Sequence, residues 1–287
     1  MKNENFEPSK PRINSMDDID MLRVGLWYTF IKYHLYVNSN YQISRIIEPD
    51  NFRINDHRKI YCDKKWRNYQ KGLNVPNSKL VEQVESIITG SSSIINHLLW
   101  QVLRESADID LLIQQSIGKL SWEVQRILYK SNKYNCARKL VEILSSKKLM
   151  QLEQLASLDA LAALVIFYRK GVEDARSIID ISRAIYRTLL IICVKKPYSN
   201  ISESLILLMH SQLFSLVDPK ESVLGDSFKE DFKMDLQILK NQFSMMDNEK
   251  LADNTWKEDV RVSSDFLEKV RFHNLFEEST IMTVEAI

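Results

Sequence analysis

Lys64, Lys65, Arg67, Asn68 and Lys71 crowd into one short stretch of the chain, and Lys59 and Lys79 flank it. Lysine and arginine side chains neutralise phosphates. Arginine and asparagine can each make paired hydrogen bonds, to guanine and adenine edges respectively. The chemistry on offer is recognition of a polyanion, with no bond made or broken. Trp66 and Tyr69 are spaced three apart within the same stretch. On a helix that spacing puts both rings on one face, with Leu73 just past the end, and leaves the cations and Asn68 to the other faces.

The elements needed to hold these residues are legible nearby. Asp63 is a candidate N-cap, because its carboxylate can accept a free N–H of a first turn. Gly72 tolerates the left-handed backbone that closes a helix. Pro76-Asn77 restarts the chain, with Asn77 as the next cap, and Leu80, Val81, Val84, Ile87 and Ile88 follow at helical spacing. A short helix backed by aromatic rings therefore meets a second amphipathic helix at a tight corner.

This pattern resembles the second half of lambda-repressor-like helix-turn-helix domains. The matching positions are Trp66, Tyr69, Gly72 and Pro76, followed by Val81, Val84 and Ile88, and the resemblance spans residues 64–88. It implies a recognition helix over the basic stretch and contact with duplex DNA. The family's glutamine-led first motif helix has no counterpart at the expected distance, where Phe52 and Asp56 stand, and Gln70 occupies a position where glutamate is usual. An insertion over 50–62 would reconcile the two. An ordinary corner in an all-α core carries the same punctuation, since glycine stops and Pro-Asn starts occur in any helical protein.

No enzyme signature accompanies the basic stretch. The chain lacks the glycine-rich phosphate loops, HExxH and GxSxG, and its five histidines are scattered. Arg53 and His57 are separated by three residues, short of the spacing used by all-helical HEPN-type ribonucleases. Glu173-Asp174 and Glu258-Asp259 read as helix starts or charged faces. Cys62, Cys136 and Cys193 are too far apart for a zinc site or a disulfide framework. The expectation is no catalytic residue, no metal, no cofactor and a reducing, cytoplasmic setting.

Six glycines and six prolines in 287 residues mean few turns, which favours helices. Net charge is +1, yet charge is segregated. Residues 53–79 carry eight bases against two acids, and residues 218–287 carry nine bases against sixteen acids. A phosphate-facing module beside an acidic region fits this pattern, and so do solvated helix faces.

The expected architecture is all-α, with a helix-turn-helix-like module followed by an antiparallel multi-helix array. Residues 1–14 read as a disordered tail, 15–105 as the basic helical domain, 106–217 as a helical core domain, and 218–287 as an acidic helical region. Ser15 is the expected cap of a first helix that is apolar on nearly every side, and His34 within it reads as a core histidine. Residues 41–47 read as a short helix or strand. A helix is expected from Ile94 to Leu103, another from Tyr134 to Leu144, and a single one from Leu149 to Tyr168. The apolar windows at 155–168 and 188–194 are too short for a bilayer, so no membrane association is expected. The Asn-, Lys- and Ile-rich composition matches a bacterial source. Two functions remain open: a non-enzymatic nucleic-acid binder that also dimerises or recruits a partner through its later helices, and a helical adaptor or subunit of a larger assembly that touches no nucleic acid.

Overall fold

The computed structural model describes residues 16–52, 64–104, 106–130, 139–171, 175–213 and 230–241. Among them helix follows helix, and the sole departure is a two-stranded antiparallel pair. The fold class is all-α.

α1 (Asp18–His34) is the hub of the N-terminal half. Val24, Leu26, Trp27 and Ile31 are buried on several of its sides, as the unbroken apolar run requires. α1 packs against α3 (Lys64–Gln70), α5 (Ser91–Ile95), α6 (Leu98–Val102) and α12 (Ser202–Gln212). Its cap is Asp17, whose carboxylate accepts the Ile19 N–H at 3.2 Å; Ser15, the expected cap, lies outside the described residues. The carboxylate placed two residues later caps the turn and, with Asp20, also binds the Arg104 guanidinium.

Residues 40–47 form helix α2 (Asn40–Ile47), and a capping box decides between helix and strand. The Ser39 hydroxyl accepts the Gln42 N–H at 3.2 Å, while the Gln42 side chain accepts the Ser39 N–H at 3.1 Å. α4 (Ser78–Ile87) starts where the sequence places it, with Asn77 accepting the Leu80 N–H at 2.9 Å.

Around α10 (Leu158–Lys170) lies the centre of the later array. Every residue from Ala160 to Tyr168 is buried. A helix apolar all round has to be enclosed, and α6, α9 (Ser146–Leu155) and α11 (Ala175–Val194) pack against it. The helical segment 230–241 adds Phe232, Leu236 and Leu239 to the same core. That core is one connected apolar cluster from Ile19 to Leu239. It is continuous past residue 105, where Arg169 donates to the carbonyls of Val102 and Arg104 at 2.8 and 2.5 Å.

Four local expectations are corrected. The helix expected over 149–168 is two helices, because Ala156 takes a left-handed φ of +40° and Ser157 caps a fresh start on Ala160. The helix expected over 94–103 likewise divides at Asn96-His97 into α5 and α6. Residues 139–140 form strand β2 (Lys139–Leu140) instead of helix, paired with β1 (Tyr129–Lys130); residues 134–138 lie outside the described residues. Non-local pairing there overrides a helix-like apolar spacing. His34 is exposed, because the last turn of α1 projects beyond the core.

Candidate nucleic-acid interface

α3 is a seven-residue helix split cleanly between two environments. Trp66 and Tyr69 face inward and are buried. Trp66 stacks on Trp27 with centroids 6.0 Å apart and an interplanar angle of 16°. Tyr69 sits edge-on to both, 5.9 Å from Trp27 and 5.5 Å from Trp66. Edge-to-face and offset-stacked contacts of this kind add about 0.5–1.5 kcal/mol per pair to the burial of the rings.

The C-terminal end of α3 is held as firmly as its inner face. Gly72 adopts φ +65° and the Schellman pattern closes the helix: the Gly72 N–H donates to the Tyr69 carbonyl at 3.0 Å and the Leu73 N–H to the Asn68 carbonyl at 2.9 Å. A Cβ on Gly72 would lie 2.5 Å from the Met21 carbonyl oxygen, so the end of α3 abuts the backbone of α1. Asn40 of α2 donates to the Gln70 side-chain oxygen at 2.9 Å and accepts from the Tyr28 hydroxyl, which ties α1, α2 and α3 together.

Lys64, Arg67, Asn68 and Lys71 recur at three- and four-residue steps, so they share the face opposite Trp66 and Tyr69. Lys64, Arg67 and Lys71 are exposed and, among the described residues, have no hydrogen-bond or ion-pair partner, and Asn68 is half-buried. Lys79, in the first turn of α4, is exposed and unpartnered too. Lys65 differs from the others. It lies on the flank of α3, and its ammonium meets Glu48 Oε1 at 2.7 Å while the Trp66 indole N–H donates to Oε2 of the same carboxylate at 3.1 Å. Its charge is therefore engaged within the protein. Lys59 and Asp63 lie outside the described residues. In α4, Leu80, Val81, Val84 and Ile88 are buried, while Ile87 is exposed.

Glu48 is the residue that inspection of the basic stretch alone misses, since it sits seventeen positions before Lys65 and in no motif with it. His97 and Asp159 form a second long-range pair. His97 Nε2 lies 3.0 Å from Asp159 Oδ1, and His97 Nδ1 accepts the Leu99 N–H at 3.1 Å. Asp159 Oδ2 accepts the Ser121 N–H at 3.0 Å. Burial pushes the Asp159 carboxyl up, yet the bonds from His97 and Ser121 outweigh it and hold it below its ordinary value. Both ring nitrogens of His97 are occupied, so the pair joins α6 and α10 to the chain before α8 (Trp122–Leu128) and has no free nitrogen to act as a base.

A half-open groove of about 840 Å³ runs between α1, the end of α3 and α12, lined among others by Lys32, Lys71, Asp18, Ser204 and His210. Among the described residues no group of three or more His, Cys, Asp or Glu side chains is placed to hold a metal ion, and no helix is long and apolar enough to cross a membrane. Compared with protein-family models, with curated proteins and with solved structures, the chain matches none.

Proposed function

We propose that this chain is a non-enzymatic nucleic-acid-binding protein that meets duplex DNA with the outer face of α3. The observation that carries the reading is the combination on α3 of exposed, unpartnered Lys64, Arg67 and Lys71 with an inner face locked by Trp66 and Tyr69. Unpaired cations on a surface helix add little to stability, whereas a rigid row of them suits phosphates. A helix of this size fits a major groove about 12 Å wide, and Arg67 and Asn68 are the residue types that read guanine and adenine there. Lys79 extends the cationic face onto the next helix. Lys65 contributes by bracing α3 through Glu48. The resemblance of residues 64–88 to a lambda-repressor-like recognition helix and its following helix supports the same reading.

Anisotropy titrations of labelled duplex DNA across salt concentrations test it. Wild type is expected to bind with a steep salt dependence. Lys64→Ala with Lys79→Ala removes two phosphate contacts, so the slope of log K against log salt should fall by about 1.8. Absence of duplex binding at low salt, or an unchanged slope in the double variant, overturns the reading.

A second reading, a helical adaptor or homo-oligomer, draws on the later helices. Trp122 is exposed with the Arg126 guanidinium 5.2 Å over its ring, and Ile143 is also exposed. Exposed aromatic and arginine pairs of this type are common anchors of protein interfaces. Light scattering of wild type and of Trp122→Ala separates this reading: an unchanged mass and no partner-dependent change excludes an oligomer built on that face.

A further inference from the structure

The end of α1 that leaves the core does so as a row of rings. Phe30 and His34 have centroids 4.2 Å apart, Tyr33 stands edge-on to His34 at 5.3 Å, and Tyr33 meets Tyr36 at 6.4 Å. Tyr33 is 41% and Tyr36 90% exposed. Tyr36 also occupies the closing position of the helix at φ +54°, where its N–H donates to the Tyr33 carbonyl and the Val37 N–H to the Lys32 carbonyl. That position favours glycine or asparagine, and a bulky side chain there is an outlier. The ring gains no burial in return, so folding does not account for a tyrosine here.

Charge indicates what the rings are for. From Met21 to Ile47 the chain has no aspartate or glutamate, and from Lys64 to Val81 it has none either. The first of these stretches supplies Lys32, adjacent to Tyr33, and Arg45, exposed one turn along α2 from the exposed Tyr41. The Asn40–Gln70 bond sets the start of α2 against the end of α3, one turn from Arg67. Glu48, which closes the first stretch, is taken up by Lys65 and Trp66. Tyrosine and arginine also anchor protein interfaces, so the rings alone do not choose the partner; the one-signed charge around them does, because it complements a polyanion. Exposed tyrosines among cations and amides, with no free carboxylate in the same stretch, are the composition that stacks bases and neutralises phosphates.

We infer that the α1–α2 corner binds single-stranded nucleic acid, with bases stacked on Tyr33 and Tyr36 and the backbone lying along Lys32 and Arg45. This rests on the reading of α3 as a phosphate-facing helix and adds a base-facing surface beside it. A strand leaving a duplex held at α3 would reach the rings across the Asn40–Gln70 contact.

The test uses the full chain and three labelled probes: a twenty-nucleotide oligo-dT, the matching oligo-U, and a random duplex. Tyr36→Gly removes the ring and also relieves the positive φ, so it should melt at or above wild type. Tyr33→Ala is the second variant and Tyr36→Phe the rescue. The expected result is single-strand binding by wild type, weakened on the order of tenfold by each ring removal and restored by Tyr36→Phe, with duplex affinity unchanged. Stronger binding of oligo-U than of oligo-dT would assign the strand as RNA, and the reverse as DNA. If wild type binds duplex but neither single strand, or if Tyr36→Gly and Tyr33→Ala bind the strands as wild type does, this inference falls and the α3 reading stands. If the strands bind through the rings but the duplex does not bind, the inference stands and the duplex reading falls. Loss of affinity in Tyr36→Phe equal to that in Tyr36→Gly would also overturn it, because the ring face would not be what binds.

Discussion

Replacing Gly72 by alanine tests the joint on which the whole interface depends. Two costs add. An alanine at φ +65° pays the left-handed penalty of about 1–2 kcal/mol, partly offset by the lower entropy of the unfolded chain. Its Cβ would also sit 2.5 Å from the Met21 carbonyl oxygen and 2.8 Å from the Met21 Cα. These are backbone atoms and cannot rotate aside, so α1 and α3 must separate, at the usual overpacking cost of about 1–3 kcal/mol. Gly72→Ala should therefore lose about 2–4 kcal/mol, or roughly 3–7 °C in Tm for a chain of this size. Gly90 supplies the control: its φ is +90° but a Cβ there meets nothing within 4 Å. Gly90→Ala should cost the conformational part alone, about 1 kcal/mol. Gly25, within α1 and equally open, should gain about 0.5–1 kcal/mol as alanine. Urea midpoints of the three variants give the comparison. If Gly72→Ala costs no more than Gly90→Ala, α1 and α3 do not touch as described, and the stacking of Trp27 on Trp66 cannot position the cationic face.

Glu48→Ala strips the buried Trp66 indole N–H of its acceptor and Lys65 of its partner, and should cost about 1–3 kcal/mol by urea denaturation, whereas Lys65→Met should cost under about 1 kcal/mol; equal effects would refute the greater weight given to the Trp66 bond. Glu85 accepts the Gly90 and Ser92 N–H groups at 2.7 and 2.6 Å and the Ser91 hydroxyl at 3.0 Å, and the backbone bonds hold its carboxyl down at about 2. Its folded pKa is depressed, so the stabilisation is present above the ordinary carboxylate range and is lost as pH falls through about 2. The stability gap between wild type and Glu85→Gln should accordingly be full at neutral pH and narrow steadily on acidification below pH about 4.5, and a gap independent of pH would contradict the assignment. Tyr186→Phe removes a 2.7 Å bond to the buried Asp235, so amides over 230–241 should exchange faster by roughly the factor that about 1–2 kcal/mol implies; unchanged exchange would mean that the apolar contacts of Phe232 and Leu236 hold the segment alone.

Local chemistry made a good part of this protein readable from its residues. The cap at Asn77 lies within a turn of the N–H group it satisfies, although Asp17 shows how easily a start shifts when a second capping side chain stands nearby. The stop at Gly72, the enclosure of the apolar run from Ala160 to Tyr168, and the division of α3 into an aromatic and a cationic face follow from helical period alone. What failed to show was everything that depends on a partner far along the chain. The strand at 139–140 exists because it pairs with 129–130. His34 lies on a helix whose apolar pattern continues past the core, so composition placed it inside and packing leaves it out.

The candidate interface divides the same way. That α3 would carry lysine, arginine and asparagine opposite two rings was determined by residue spacing, because a helix converts sequence separation directly into angle. Which of those cations remains available was decided only by tertiary structure: Glu48, brought in from the end of α2, engages Lys65 and leaves Lys64, Arg67 and Lys71 facing solvent. The start of α2, just past the aromatic row, is set against the end of α3 for the same reason, through the bond from Asn40 to Gln70 thirty residues on. Backbone periodicity acts over one turn and needs only neighbours, whereas the pairing of charges and the meeting of surfaces depend on where the folded core brings distant segments together.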